Sequence, residues 1–343
     1  MTRDEPSRLG PVALASAAGL LLLACIAGVA FGPVSLPAGG VVTELLDRLP
    51  FVGVDSGLSE REAAILWDLR LPRVVLGGLV GAMLALAGGA YQGVFRNPLA
   101  DPYLLGVAAG AGFGATLVIA SGGGTGLLLA GAAFVGSVAA VAISYAVGRT
   151  AGSGRSAATL ILAGVAVASF FTAAQTYVQQ RSSDVVREVF SWILGRLATT
   201  GWAEVRLVFP FVLVAALVLL GHRRHLDVLA VGEEEAATLG MPIVRVRLLV
   251  IGAATLGTAA VVAVSGLIGF VGIVVPHAIR LLTGSSYRVI LPLSLLAGGA
   301  FLVFSDLLAR TIVSPAELPI GVITAFVGAP FFAVVLRNAV RTS

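Results

Sequence analysis

The chain contains no lysine, so all 22 of its basic residues are arginine. A phosphate-binding loop of the GxxxxGK[ST] type needs a lysine for the nucleotide phosphates. That mode of nucleotide binding is therefore excluded, as is a Schiff-base lysine, and any ATP used must be bound by another subunit. Charge of either sign is scarce: charged residues are 12% of the chain, against about a quarter in a soluble domain. There is one cysteine, Cys25. It excludes an intramolecular disulfide, and with no ligand partner nearby it reads as a small packed hydrophobe. The three histidines form no HExxH pattern and no cluster. His222 and His225 flank two arginines, which makes a poor metal site, so no metal is expected. With no intramembrane nucleophile–base pair either, a membrane-embedded enzyme is disfavoured.

What is present is hydrophobicity. Of the 343 residues 58% are hydrophobic, and the mean hydropathy is +1.00. Such a chain cannot cover itself with polar surface, so its solvent must be lipid. Apolar runs predict ten spans, at Pro11–Phe31 and near 72–93, 103–121, 126–148, 158–180, 202–221, 246–267, 268–283, 289–309 and 319–336. The first run is longer than the core of a secretion signal and reads as a retained helix. The pair around 246–283 is interrupted by Gly266, Gly269 and Gly272 and could be one long helix and one short one. With the N-terminus inside, 13 of the 22 arginines fall on the inner side, the expected sense. The net charge of +4 is then loop charge and not a nucleic-acid surface.

Four polar stretches are not explained by lipid. Arg70-Leu71-Pro72-Arg73 opens the second span, with Pro72 in a helical first turn. Two exposed cations near a helix's positive end suit either headgroup anchoring or docking of an acidic partner. Arg96-Asn97-Pro98-Leu99-Ala100-Asp101-Pro102 reads as a rigid turn between spans, or as a turn that also narrows a pathway. The segment 222–247 is the longest and most charged inner loop. It reads as two short helices broken at Gly232, with Glu233, Glu234 and Glu235 at a favourable helix start, and suits docking to a soluble protein. Pro276-His277-Ala278-Ile279-Arg280 ends a short span. Apart from Glu204 at the very start of 202–221, Asp306 is the one carboxylate placed in a span, near its outer end. Ion-coupled transporters keep carboxylates near the midplane, so an ATP-independent secondary transporter is the weaker alternative.

The blocks RLPRVVLGGLVGAMLALAGGAYQ, RNPLADPYLLGVAAGAGFG, LILAGVA, SWILGRL, LDVLAVGEEEAATLG, SGLIGFVGIVVPHAIRLLTG and SDLLARTIVSPAELPIGVITAFVGAPFF occur in this order. Through them the chain resembles, from about Leu66 to Leu336, the permease subunits of iron-siderophore, haem and vitamin B12 ABC importers, the FecCD-like family. The resemblance implies an all-α polytopic fold with ten spans, that of a type II importer permease similar to the vitamin B12 permease. It implies one transmembrane domain over 1–343 and a homodimer with the pathway between the copies. Two ATPase subunits would hold ATP and Mg, this chain binding no cofactor, and an extracytoplasmic substrate-binding protein would dock opposite them. Arg70 and Arg73, with Arg310 as a third, would meet glutamates of that protein. Asn97 and Leu99 would belong to the inner gate. A second gate segment falls around Ser156 to Thr159, where Ala157 and Ala158 depart from the family pattern. Asp227, Leu229, Gly232, Glu233, Glu234, Glu235, Leu239 and Gly240 would form the coupling element on the ATPase. The implied cargo is a ferric siderophore, with haem or cobalamin as alternatives. The implied location is a bacterial cytoplasmic membrane with both termini inside.

Overall fold

A computed structural model describes residues 9–34, 36–48, 56–123, 126–150, 157–181, 185–197 and 201–342. Among them the chain is entirely helical, with no strand. In order the helices are α1 (Pro11–Ala30), α2 (Ala38–Asp47), α3 (Glu60–Ala64), a π-helical turn (Ile65–Arg70), α4 (Leu71–Phe95), α5 (Val107–Ala120), α6 (Leu127–Thr150) and α7 (Ala157–Arg181). Then come α8 (Val186–Ile193), α9 (Ala203–Gly221), α10 (Arg223–Val231), α11 (Glu233–Thr238), α12 (Ile243–Ser265), α13 (Val271–Thr283), α14 (Tyr287–Thr311) and α15 (Ile320–Thr342). Among the described residues seven helical segments are long and apolar enough to cross a membrane, and α5, α13 and α15 are shorter apolar helices. These ten segments correspond to the ten expected spans. The ambiguous pair resolves into α12 and α13, broken after Ser265.

The segment from Glu60 to Phe95 is one continuous helix, not a helix that starts at Pro72. It starts with a capping box in which Ser59 and Glu62 bond each other's backbone N–H groups. Just before Pro72 the chain widens into the π turn, and the Leu71 N–H bonds the Leu66 carbonyl, five residues back. This leaves the Trp67 carbonyl without its usual helical donor. The indole N–H of Trp202 supplies one at 2.9 Å. A proline within a helix is thus absorbed by a local change of pitch and a side-chain donor from another element.

Helix α4 is the central post. It is buried along most of its length and packs against α14, α12, α13 and α9. A Cβ at Gly88 would collide with the backbone of Gly272 on α13, and one at Gly110 with the backbone of Gly136 on α6. Small residues thus set the interhelical distance, as expected where lipid supplies no drive to bury apolar surface. Three irregular segments are joined by backbone bonds. The Arg196 N–H donates to the Ser265 carbonyl at 2.8 Å, and Gly321 N–H to Leu194 at 3.1 Å. The Tyr103 hydroxyl reaches the Ile268 carbonyl at 3.1 Å. At the break between α12 and α13 the Ser265 and Ile268 carbonyls are therefore satisfied by protein, as irregular backbone at membrane depth requires.

Candidate functional site

The two ends of α4, about 37 Å apart at 1.5 Å per residue, carry different chemistry. At the Arg70 end the structure corrects the expectation of an exposed cationic mouth. Arg70 is 5% exposed. Its Nη1 donates to the carbonyls of Val29 at 2.7 Å and Ala30 at 3.0 Å, and its Nη2 to Val34. Arg310 is 2% exposed and donates to Gly28. Both guanidiniums therefore cap the C-terminal carbonyls of α1, where cations are favoured. Arg73 is partly buried. It takes Asp306 on its Nε and Nη2 at 2.9–3.1 Å, and Glu317 on Nη1 and Nη2 at 2.9 Å. Of the three arginines only Arg73 lies at the rim, and its outward edge is shared with the exposed Glu317. Asp306, paired with Arg73 and Arg310, is a fixed counter-ion in this network.

At the other end, residues 97–106 form a tight turn entering α5. The Asn97 Oδ1 accepts from the Leu99 N–H at 2.9 Å. The Asp101 Oδ1 accepts from the Tyr103 N–H at 2.7 Å. The Asn97 amide oxygen is thus spent on shaping its own turn, and Leu99, 39% exposed, is presented outward beside the exposed Pro98. Burial pushes the Asp101 carboxyl up to about 6. Ala157 and Ala158 open α7, and Ala158 is exposed. Ser156, part of the same expected segment, lies outside the described residues.

Below α4, α10 and α11 meet at Gly232, as the charge pattern suggested. The structure divides the eight expected coupling residues into two sets. Leu229 is buried and Gly232 is enclosed. The Asp227 carboxylate binds the start of α14 through the Tyr287 N–H and the Ser286 hydroxyl, and Glu233 pairs with Arg247 of α12. These four face the helical bundle. Glu234, Glu235, Leu239 and Gly240 are exposed, Leu239 at 74% beside an equally apolar Val231 at 69%.

Sequence reasoning missed one feature. A cavity of about 870 Å³ lies along α7 and the 101–104 turn, lined by Asp101, Tyr103, Ser169, Thr172, Thr176 and Gln180 among others. The signal was a row of hydroxyl and amide residues three or four apart on an otherwise apolar helix. Ser169 and Thr176 donate to their own i−4 carbonyls at 2.9 Å. Their hydroxyl hydrogens are thus committed to their own helix.

The chain is thus a helical bundle with a docking-type pair at one end and an open, mainly apolar cavity, edged by hydroxyl and amide groups, along one helix. Residues 20–338 match the FecCD transport family. The chain belongs to that family. It is 38% identical to the cobalamin import system permease protein BtuC of Halobacterium salinarum, over 95% of this chain and 96% of that one. It is 40% identical to the hemin transport system permease protein HmuU of Yersinia pestis, over 77% and 80%. A solved structure reported as an inward-facing conformation of a metal-chelate type ABC transporter superposes with a TM-score of 0.83 at 30% identity, covering 96% of this chain and 100% of that one. The FecCD chain is thus similar to the cobalamin permease and to the solved metal-chelate type transporter over nearly its whole length.

Proposed function

We propose that this chain is one of two identical permease subunits of an ATP-driven importer that moves a bulky metal chelate across the cytoplasmic membrane. The observation that carries the reading is the two-sided α10–α11 pair. Its inner residues are tied to membrane helices, and its outer residues Val231, Glu234, Leu239 and Gly240 are exposed at one end of the bundle. An exposed apolar and acidic knob on an otherwise lipid-type protein suits a soluble partner. The partner in this reading is an ATPase subunit, two per assembly, which binds ATP and Mg; both termini of the permease lie on that side. At the opposite end Arg73 and Glu317 form the rim that an extracytoplasmic binding protein would contact, while Arg70 and Arg310 support it by holding α1. The cavity along α7 would be half of the pathway between two copies.

The cargo follows from relatives whose named cargoes are cobalamin and hemin. Their shared chemistry is a metal held in a large organic ligand, a class that also contains the ferric siderophores. Cobalamin is the first cargo to test, because that relative matches over nearly both full lengths. The test is uptake into proteoliposomes that hold this chain, its ATPase and its binding protein, with cobalamin, haemin and ferric siderophores offered separately, with and without ATP. ATP-dependent entry of one cargo is the expected result. Entry without ATP, driven by an ion gradient, would instead establish the secondary-transport alternative.

A further inference from the structure

The inner ends of four helices are joined by one chain of polar contacts. On α10 the Asp227 carboxylate accepts from the Tyr287 N–H at 2.5 Å and from the Ser286 hydroxyl at 3.0 Å, and pairs with Arg288 at 3.2 Å. It is the N-terminal cap of α14, supplied by a different helix. The Tyr287 hydroxyl accepts from Arg280 Nη2 of α13 at 3.3 Å, and that guanidinium lies 5.3 Å from the Tyr287 ring centroid. The same Nη2 donates to the Gln92 Oε1 of α4 at 3.1 Å. The Gln92 Nε2 returns to the Gly272 carbonyl of α13 at 3.2 Å. A side chain added at Gly272 would meet the ring of Pro102, in the turn that presents Leu99.

Two further features mark these contacts as more than packing. Gln92 and Tyr287 are 0% and 4% exposed, in a region where apolar side chains would pack at no polar cost. The buried Arg280 Nε has no hydrogen-bond partner. The guanidinium as a whole is only partly buried, held through Nη2 and a ring face, and its enclosed Nε donor is left unused. That is expected of a group with a second setting in another state of the molecule.

We propose that Asp227, Tyr287, Arg280 and Gln92 transmit motion of the α10–α11 pair to α13, and through it to the 97–106 turn. Tyr287 and Gln92 act as positioning residues: they touch neither cargo nor nucleotide. The inference rests on the importer reading above. In that reading, ATPase closure moves α10, Asp227 carries the start of α14 with it, and the Arg280 link passes the shift to α13 and α4.

The experiment uses the whole reconstituted complex in a Cys25→Ala background. A spin label is placed at Leu99→Cys in one sample and at Leu239→Cys in another. The variants are Tyr287→Phe, which removes one hydroxyl, and Gln92→Met, which keeps nearly the same volume. Readouts are the nucleotide-dependent displacement of each label, and transport per ATP hydrolysed for whichever of cobalamin, haemin and ferric siderophore the wild-type complex carries. In both variants transport per ATP is expected to fall about tenfold, with displacement retained at position 239 and lost at position 99. Retained displacement at position 99, with transport per ATP within twofold of the parent, would overturn the relay. Failure of both variants to assemble would assign the residues to folding and overturn it as well. A wild-type complex without ATP-dependent uptake refutes the importer reading itself, a separate outcome.

Discussion

Asp101 shows what burial does to a single carboxylate in this fold. Its pKa is raised from 3.8 to about 6 by desolvation, against the lowering effect of the Tyr103 N–H. The folded state therefore holds the proton more tightly than the unfolded chain. The protonated form favours folding below about pH 4, and that advantage disappears as pH rises through about 6. Asp101→Asn keeps an acceptor for the Tyr103 N–H and removes the charge. Thermal unfolding in detergent between pH 4 and 8 should show the variant gaining on the parent as pH rises, with the gain levelling off above about pH 6. A constant offset across that range would mean that Asp101 is not buried as a charge. The sequence marked Asp101 as a turn residue through its proline neighbours. Its surroundings depend on Tyr103, which donates to it through its N–H and reaches Ile268 with its hydroxyl, a long-range contact that no local pattern contains.

At the scale of the helix, Arg70 and Arg310 tie the end of α1 to α4 and α14. Their placement reverses the expectation of free docking cations, for a physical reason. A helix end leaves its last carbonyls without intrahelical donors, and in a chain this apolar arginine is a ready source of donors near a membrane face. Removing Arg70 strands at least two of the carbonyls it serves. Arg70→Ala should destabilise the protein by about 2–4 kcal/mol. Arg70→Lys should recover little, because one ammonium lacks the planar fork of donors. Unfolding midpoints in detergent decide this, and an unchanged midpoint for Arg70→Ala would refute the capping role. The α10–α11 pair carries a second prediction. Glu234→Arg with Glu235→Arg alters its exposed side while leaving the Asp227 and Glu233 ties intact. Binding-protein stimulation of ATP hydrolysis should fall roughly tenfold, the scale of a typical coupling energy. Unchanged stimulation and uptake would remove these glutamates from the ATPase contact.

At the scale of the whole molecule, the features of transport lie on different helices and meet only through packing. Helix α4 connects the Arg73–Glu317 rim to the Gln92–Arg280 contact. Helix α7 supplies the cavity wall, and α13 lies between the polar relay and the 97–106 turn. The cargo panel belongs to this scale, since the proposed pathway between two copies would exist only in the assembled importer. The amino-acid sequence by itself determined the lipid solvent, the all-helical class, the ten apolar segments, the break at Gly232 and the absence of a lysine-based nucleotide loop. Each follows from composition, run length or a missing residue type, and the break at Gly232 from the glycine and the acidic run after it. Only the tertiary structure decided which polar side chains face inward, that Arg70 and Arg310 are caps, and that α7 carries an open cavity. The reason is the solvent. In lipid both the packed and the outward faces of a helix are apolar, so the polar–apolar stripe that tells a soluble helix's inside from its outside is largely absent, and direction is set by the neighbours each helix finds.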